Sequence, residues 1–423
     1  MQQVKEYTPS ERKGHSMVRI GDHLYLWGGY QPSLPFAHDS EQKRTMSSRI
    51  EVYHLPTGRW EQKPTTGNPP LGITGYATAA IGNEIFYFGG YCNHDDCYHN
   101  SLYSLDVATL NWRELSFTDT HHGPMMKSHC GMIALQLDDG EDYLVVIGGG
   151  GPHPSTRQMD SQYSCDVLSD LERTNEVHYF CCKSNDWISP AITGDRPLPC
   201  DSFTLNSISN DTAILFGGNE LNNKVYYCQF TRESASWKQL HNTSMGQWPM
   251  ERSHHCSALI KSSVAGPHLL TVGGKNTSDS WLLDVDKKQW SEVSLPREVH
   301  ERREHSLCTW SLSPTVHWII EFGGKREGLL GAVLNDTTVI ELIYSTEKEK
   351  WFSNVIPSDR YQERLRARAL NENNVNAEDG GSEEEEGPTF KRLSCQALIE
   401  ESVAERRRKM QEGRVEKNCC QIL

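Results

Sequence analysis

A run of four mostly apolar residues ending in two glycines recurs six times along the chain: Leu24-Tyr-Leu-Trp-Gly28-Gly29, Ile85-Phe-Tyr-Phe-Gly89-Gly90, Leu144-Val-Val-Ile-Gly148-Gly149, Ala213-Ile-Leu-Phe-Gly217-Gly218, Leu269-Leu-Thr-Val-Gly273-Gly274 and Ile319-Ile-Glu-Phe-Gly323-Gly324. Runs this short, rich in β-branched and aromatic residues, predict inner strands packed on both faces. A glycine pair suits a chain that turns sharply and passes close to a neighbour. After each pair a second short strand leads to a tryptophan: Trp60, Trp112, Trp187, Trp237, Trp290 and Trp351. A third element precedes each pair, clearest as Arg12-Lys-Gly-His15, Arg252-Ser-His-His255 and Arg302-Arg-Glu-His305, and degraded around Tyr76 and Phe203.

Successive glycine pairs lie about 50 to 70 residues apart, which marks a structural repeat. One four-stranded unit cannot bury both of its faces, so the units must stack around an axis and shield one another. Each tryptophan then supplies a large area wedged between units. The joint sixfold recurrence resembles the kelch family. It implies an all-β fold, a six-bladed kelch β-propeller over residues 1–357. The longest departures from the period, 150–174 and 31–48, are expected as loops on one face, where binding surfaces are commonly built.

Composition narrows the function. The 33 glycines, 16 tyrosines and 11 tryptophans suit short strands and tight turns. The formal charge of -14 argues against nucleic acid, whose phosphates require a basic stripe. The N-terminus carries no apolar leader, so the 13 cysteines are expected as reduced thiols. No apolar run approaches the roughly 18 residues of a membrane span. The expected location is cytoplasmic, nuclear, or lipid-anchored at a membrane.

No catalytic constellation emerges, and the chain is read as a binding protein, not an enzyme, with no cofactor. Gly148-Gly-Gly-Gly151 lacks the Lys-Ser/Thr that completes a phosphate loop. His15, His129, His255 and His305 are taken to occupy one place in the repeat, as framework residues tying strand to turn. Cys92-Asn-His94-Asp-Asp96-Cys97-Tyr-His99 gathers metal-ligating residue types, but its spacing matches no standard finger. It is read as an ordinary polar loop, and no metal is expected.

Within the kelch family the cadence resembles the substrate receptors of cullin-type ubiquitin ligases, as in Glu11-Arg-Lys-Gly-His15, Leu26-Trp-Gly-Gly-Tyr30 and Thr57-Gly-Arg-Trp60. That resemblance implies a propeller face that reads the C-terminus of a client protein. Two arginines and a serine that serve this purpose in the relatives correspond here to Asn219, Lys224 and Ser253. The tryptophan that follows the serine is replaced by His254. The peptide-binding candidates are therefore Lys224, Arg252, Ser253, His254 and Arg303, because a carboxylate needs cations and hydroxyl donors.

After Trp351 the repeat stops. Residues 358–388 read as an acidic disordered linker containing Glu383-Glu-Glu-Glu386, and 389–412 as an amphipathic to charged helix. The start of that helix resembles the elongin-binding box of the ligase receptors, with Thr389, Phe390, Ser394 and Leu398 at its fixed offsets. This implies elongin and cullin as partners beside the client. Residues 413–423 form a basic tail ending Cys420-Gln-Ile-Leu423, which fits prenylation of Cys420. The alternative to a ligase receptor is a prenylated, membrane-associated kelch scaffold with no ubiquitin role.

Overall fold

Each apolar run becomes the second strand of a four-stranded antiparallel sheet: His23–Trp27, Glu84–Phe88, Asp142–Ile147, Thr212–Phe216, Gly266–Val272 and Val316–Phe322. Their central residues are mostly apolar because both faces and both edges are covered by neighbours. Leu24, for example, is fully buried and pairs with Arg19 on one side and Tyr53 on the other. The fold comes from a computed structural model that describes residues 6–92, 94, 97–117, 123–152, 162–168, 171–241, 247–326 and 331–378.

The strand before each run lies innermost: Ser16–Ile20, Ala77–Ile81, Gly131–Gln136, Thr204–Ser207, Cys256–Ser262 and Ser306–Ser311. These six strands touch in rotation, the sixth against the first, so the sheets are the blades of a closed six-bladed propeller. Five of the six tryptophans sit on outermost strands, and Trp237 on Ser234–Leu240, one strand in from the edge; most make ring contacts with the preceding blade. Trp112 packs on Trp27, Trp187 on Phe88, Trp290 on Phe216, and Trp60 on Phe322 across the closing seam. Ala191–Gly194, leaving the third blade, adds a parallel fifth strand to the fourth.

Two concentric circles of backbone hydrogen bonds close the ring. In the outer circle the second glycine of each pair donates to the lead-in of the next blade: Gly29 to Ile73, Gly90 to Lys127, Gly149 to Cys200, Gly218 to Arg252, Gly274 to Arg302, and Gly324 back to Arg12, at 2.5–3.0 Å. The inner circle links the residues two positions further on. Gly75 donates to Gly14, His129 to Gly75, Ser202 to His129, His254 to Ser202, Glu304 to His254, and Gly14 to Glu304, at 2.6–3.0 Å. All six inner residues have φ between 53° and 63°, a conformation that side chains disfavour. The circle holds them there. The glycine pairs are needed for close approach as well as for their positive φ: a Cβ on Gly28 would lie 2.8 Å from the Ile73 carbonyl, and one on Gly323 2.8 Å from that of Arg12.

The inner circle corrects the histidine register. His15, His255 and His305 share one buried position, but His129 lies one place earlier, equivalent to His254. The lead-in arginines are framework. Arg12, Arg252 and Arg302 are buried, donate to the carbonyls of Gly28, Gly273 and Gly323, and pair with Glu51, Asp279 and Asp336. In the third blade Lys127 takes this place, paired with Glu176 at 3.0 Å.

The boundary drawn at 358 also needs correction. A turn of 3-10 helix, Ser358–Arg360, leads into an α-helix, Tyr361–Glu378, where acidic linker was expected. Its first part places Tyr361, Leu365 and Ala369 at i, i+4 and i+8, one face of a helix, and all three are buried. The face packs on the seam between the sixth and first blades. The Tyr361 hydroxyl donates to the Leu55 carbonyl at 2.6 Å, its ring meets Trp318 edge-on at 4.9 Å, and Arg364 and Arg368 bind the buried Glu341. Residues 379–423 lie outside the described residues, and with them Thr389, Phe390, Ser394, Leu398 and Cys420. Among the described residues no helix is long and apolar enough to cross a membrane.

Candidate functional site

The loops that follow the glycine pairs rise at one end of the propeller and enclose a bowl of about 770 Å³. Its floor is the inner circle, where His129, Ser202, His254 and Glu304 present their side chains. The same residues cap a smaller cavity of about 270 Å³ between the first strands, so the circle is the waist of the axial channel. Three tyrosines, Tyr30, Tyr91 and Tyr98, form one wall; the rings of Tyr91 and Tyr98 lie 5.0 Å apart.

The polar groups of the bowl are mostly paired. Lys13 bridges to Glu304 at 2.7 Å, while Arg173, on the short strand Leu171–Thr174, holds Asp201 at 2.9 Å and Glu220 at 2.7 Å. Asn219 donates to Asp201 from the other side. Burial pushes the Asp201 and Glu304 carboxyls up, but His129 with Arg173, and Lys13, outweigh it and hold both below their usual range. Burial and the neighbouring His129 push His254 down to about 4, so it is neutral near pH 7. Its Nε2 faces the Ser202 hydroxyl at 3.1 Å and its Nδ1 that of Ser253 at 3.2 Å. Lys325 also lines the bowl and makes no ion pair among the described residues. The bowl therefore offers polar and charged groups on its floor, an aromatic wall and the Lys325 ammonium to whatever it receives.

A family model described as the KLHDC2/KLHL20/DRC7 Kelch-repeats domain matches residues 1–171 and 163–371, together the whole propeller and part of the closing helix. The chain belongs to this kelch-repeat family. It is 25% identical to Kelch domain-containing protein 2 of Bos taurus over 341 residues, covering 76% of this chain and 78% of that one. Kelch domain-containing protein 1 of Homo sapiens is likewise 25% identical over 341 residues, covering 76% and 77%. The solved structure of YjhT superposes with a TM-score of 0.53 at 13% identity, covering 83% of this chain and 99% of that one; this likeness concerns the fold alone.

In this kelch propeller the five peptide-binding candidates separate. His254 is on the bowl floor. Ser253 is buried behind it, with its hydroxyl on the His254 ring. Arg303 stands next to the bowl, its Nε 3.8 Å from Glu304. Lys224 is half-buried and does not line the cavity. Arg252 is removed from the set, because its guanidinium is enclosed by the Gly273 carbonyl and Asp279. Sequence reasoning missed Lys13, Arg173, Asp201 and Lys325. Aligning all six units at the position after the lead-in would have placed Gly14, Gly75, His129, Ser202, His254 and Glu304 in one register and exposed the floor.

The kelch loops also create a cluster that no single stretch of sequence contains. His38, from the first blade's long loop, meets Cys92, Cys97 and His99 from the second, and one ligand atom from each lies within 4.8 Å of all the others. The loop 31–48 carries a helix, Glu41–Ser47, and from it the buried Lys43 donates to the carbonyls of His38 and Cys92, both at 2.8 Å. The described parts of the insertion in the third blade form a three-stranded sheet of Gly150–Pro152, Cys165–Leu168 and Leu171–Thr174.

Proposed function

We propose that this kelch protein is a client-recognition subunit of an elongin/cullin-type ubiquitin ligase, and that its bowl holds an exposed peptide segment of the client. The observation that carries the binding role is the bowl itself, a cavity of about 770 Å³ with an aromatic wall and charged groups preset on its floor. Arg173 and Lys325 are the cations best placed to receive a client carboxylate, Arg173 by exchanging one of its acidic partners and Lys325 directly. His254 contributes a neutral donor or acceptor beneath them. The ligase role rests on the sequence resemblance at Thr389, Phe390, Ser394 and Leu398, and on membership of the kelch family.

The test is affinity purification of the full chain from cells beside Phe390→Asp/Leu398→Asp, with co-purifying proteins identified by mass spectrometry. Elongin and cullin should accompany the parent and vanish from the variant, while clients remain with both. If neither sample carries elongin, the ligase role is refuted, and lipid on Cys420 would then favour the scaffold reading. Among recovered clients, Arg173→Glu should abolish binding with the ligase partners retained.

A further inference from the structure

We propose that His38, Cys92, Cys97 and His99 form a tetrahedral zinc site that staples the rim loops of the first two blades together. A zinc ion with S and N ligands at about 2.3 and 2.0 Å requires ligand atoms about 3.3–3.8 Å from one another. Here His38 Nδ1 lies 3.0 Å from Cys97 Sγ and 3.5 Å from Cys92 Sγ, and Cys97 Sγ lies 3.6 Å from His99 Nε2. The fourfold set is already near that geometry, with every ligand atom within 4.8 Å of the others.

The surrounding backbone is built to hold it. Cys92 N–H donates to the Cys97 carbonyl at 3.0 Å and Cys97 N–H to that of His94 at 3.1 Å, so the two cysteines are tied together through their own backbones. His99 N–H is fixed on Gly90 at 3.0 Å. Lys43 ties the His38 and Cys92 backbones to one ammonium, setting the distance between two loops that are far apart in sequence. Two thiolates and two imidazoles favour zinc over calcium or magnesium, and four protein ligands leave no open position. The site is therefore structural. On binding, the Cys92 and Cys97 thiols release their protons to solvent as they become thiolates.

The consequence falls on the bowl. Tyr91 and Tyr98 immediately flank Cys92 and Cys97, and both line the aromatic wall. Zinc would fix that wall, and chelation would loosen it. The site stands independently of which client the bowl receives.

The experiment uses the full chain purified under reducing, chelator-free conditions. Metal content is measured by mass spectrometry, and cobalt(II) is titrated into metal-depleted protein and followed by absorbance. The expected result is about one zinc per chain and the strong visible bands of a tetrahedral thiolate site, displaced by zinc. Cys97→Ser should abolish both. Because His38 is exposed, His38→Gln should leave the fold intact, as a thermal melt equal to the parent's in the metal-depleted proteins would show, yet weaken cobalt more than about tenfold. The proposal is overturned if the parent retains no zinc and gives no tetrahedral spectrum. It is equally overturned if both variants bind as the parent does, or if thiol counting finds Cys92 and Cys97 joined as a disulfide in the fresh protein.

Discussion

Replacing Tyr361 by alanine tests whether the closing helix holds the ring. The side chain is 5% exposed, its ring stands edge-on to Trp318, and it covers Gly58, where a Cβ would lie 2.8 Å from the ring. Truncating a buried aromatic of this kind costs about 3–5 kcal/mol through lost burial and the cavity left behind. About 1 kcal/mol more comes from the Leu55 carbonyl, which loses its 2.6 Å hydrogen bond. Tyr361→Phe removes only that bond and should cost about 1 kcal/mol. Urea unfolding followed by tryptophan fluorescence gives the shift in midpoint. Because a repeat ring need not unfold in one step, hydrogen exchange should locate the loss. Protection should fall first in Arg49–His54 and Thr337–Ser345, on either side of the seam. A Tyr361→Ala cost below about 1 kcal/mol, or loss of protection spread evenly around the ring, would refute the clasp.

Arg252→Ala should destabilise the propeller by about 3 kcal/mol or more with or without a peptide, because Asp279 and the Gly273 carbonyl lose a buried cation; a melt within a degree of the parent would contradict that role. Burial, opposed by Arg302, pushes Glu321 up to about 8, so in the folded chain it keeps a proton that the unfolded chain releases above its ordinary 4.5. Glu321 therefore reduces stability as pH rises from about 4.5 to about 8 and no further beyond, by at most about 1.4 kcal/mol per pH unit. Glu321→Gln should gain on the parent across that window in pH-resolved denaturation, and equal slopes would show that the residue is ionised throughout. Glu341 behaves oppositely: burial pushes it up, but Arg368, Arg364 and the Trp318 indole outweigh this and hold it down to about 2. Its stabilisation is complete above about pH 4.5 and lost as pH falls toward 2, so Arg364→Ala/Arg368→Ala should flatten the acid limb of the stability curve; an unchanged limb would exclude the pairing.

The blades were legible because their signals are local. An apolar run, a glycine pair and a tryptophan recur together, and each needs only its own unit to make sense. The candidate site was less legible. Arg252 shares its residue type with peptide-binding cations, and only its enclosure by Gly273 and Asp279 shows that it serves the framework. Arg173 lies in an insertion outside the repeat, so no periodicity marked it. The helix Tyr361–Glu378 does carry a signal in Tyr361, Leu365 and Ala369, but the Asn- and Glu-rich stretch that follows obscured it.

Sequence by itself therefore determined the number of blades, their strands and the tryptophans between them, because periodic burial is written into every unit. Tertiary structure alone decided how the ring closes, which cations the framework encloses, and that His38 meets Cys92, Cys97 and His99. Those outcomes depend on groups separated by tens to hundreds of residues, such as Arg12 with Gly324 and Tyr361 with Leu55. Only the circular stacking of blades brings such pairs within hydrogen-bond or ligand distance.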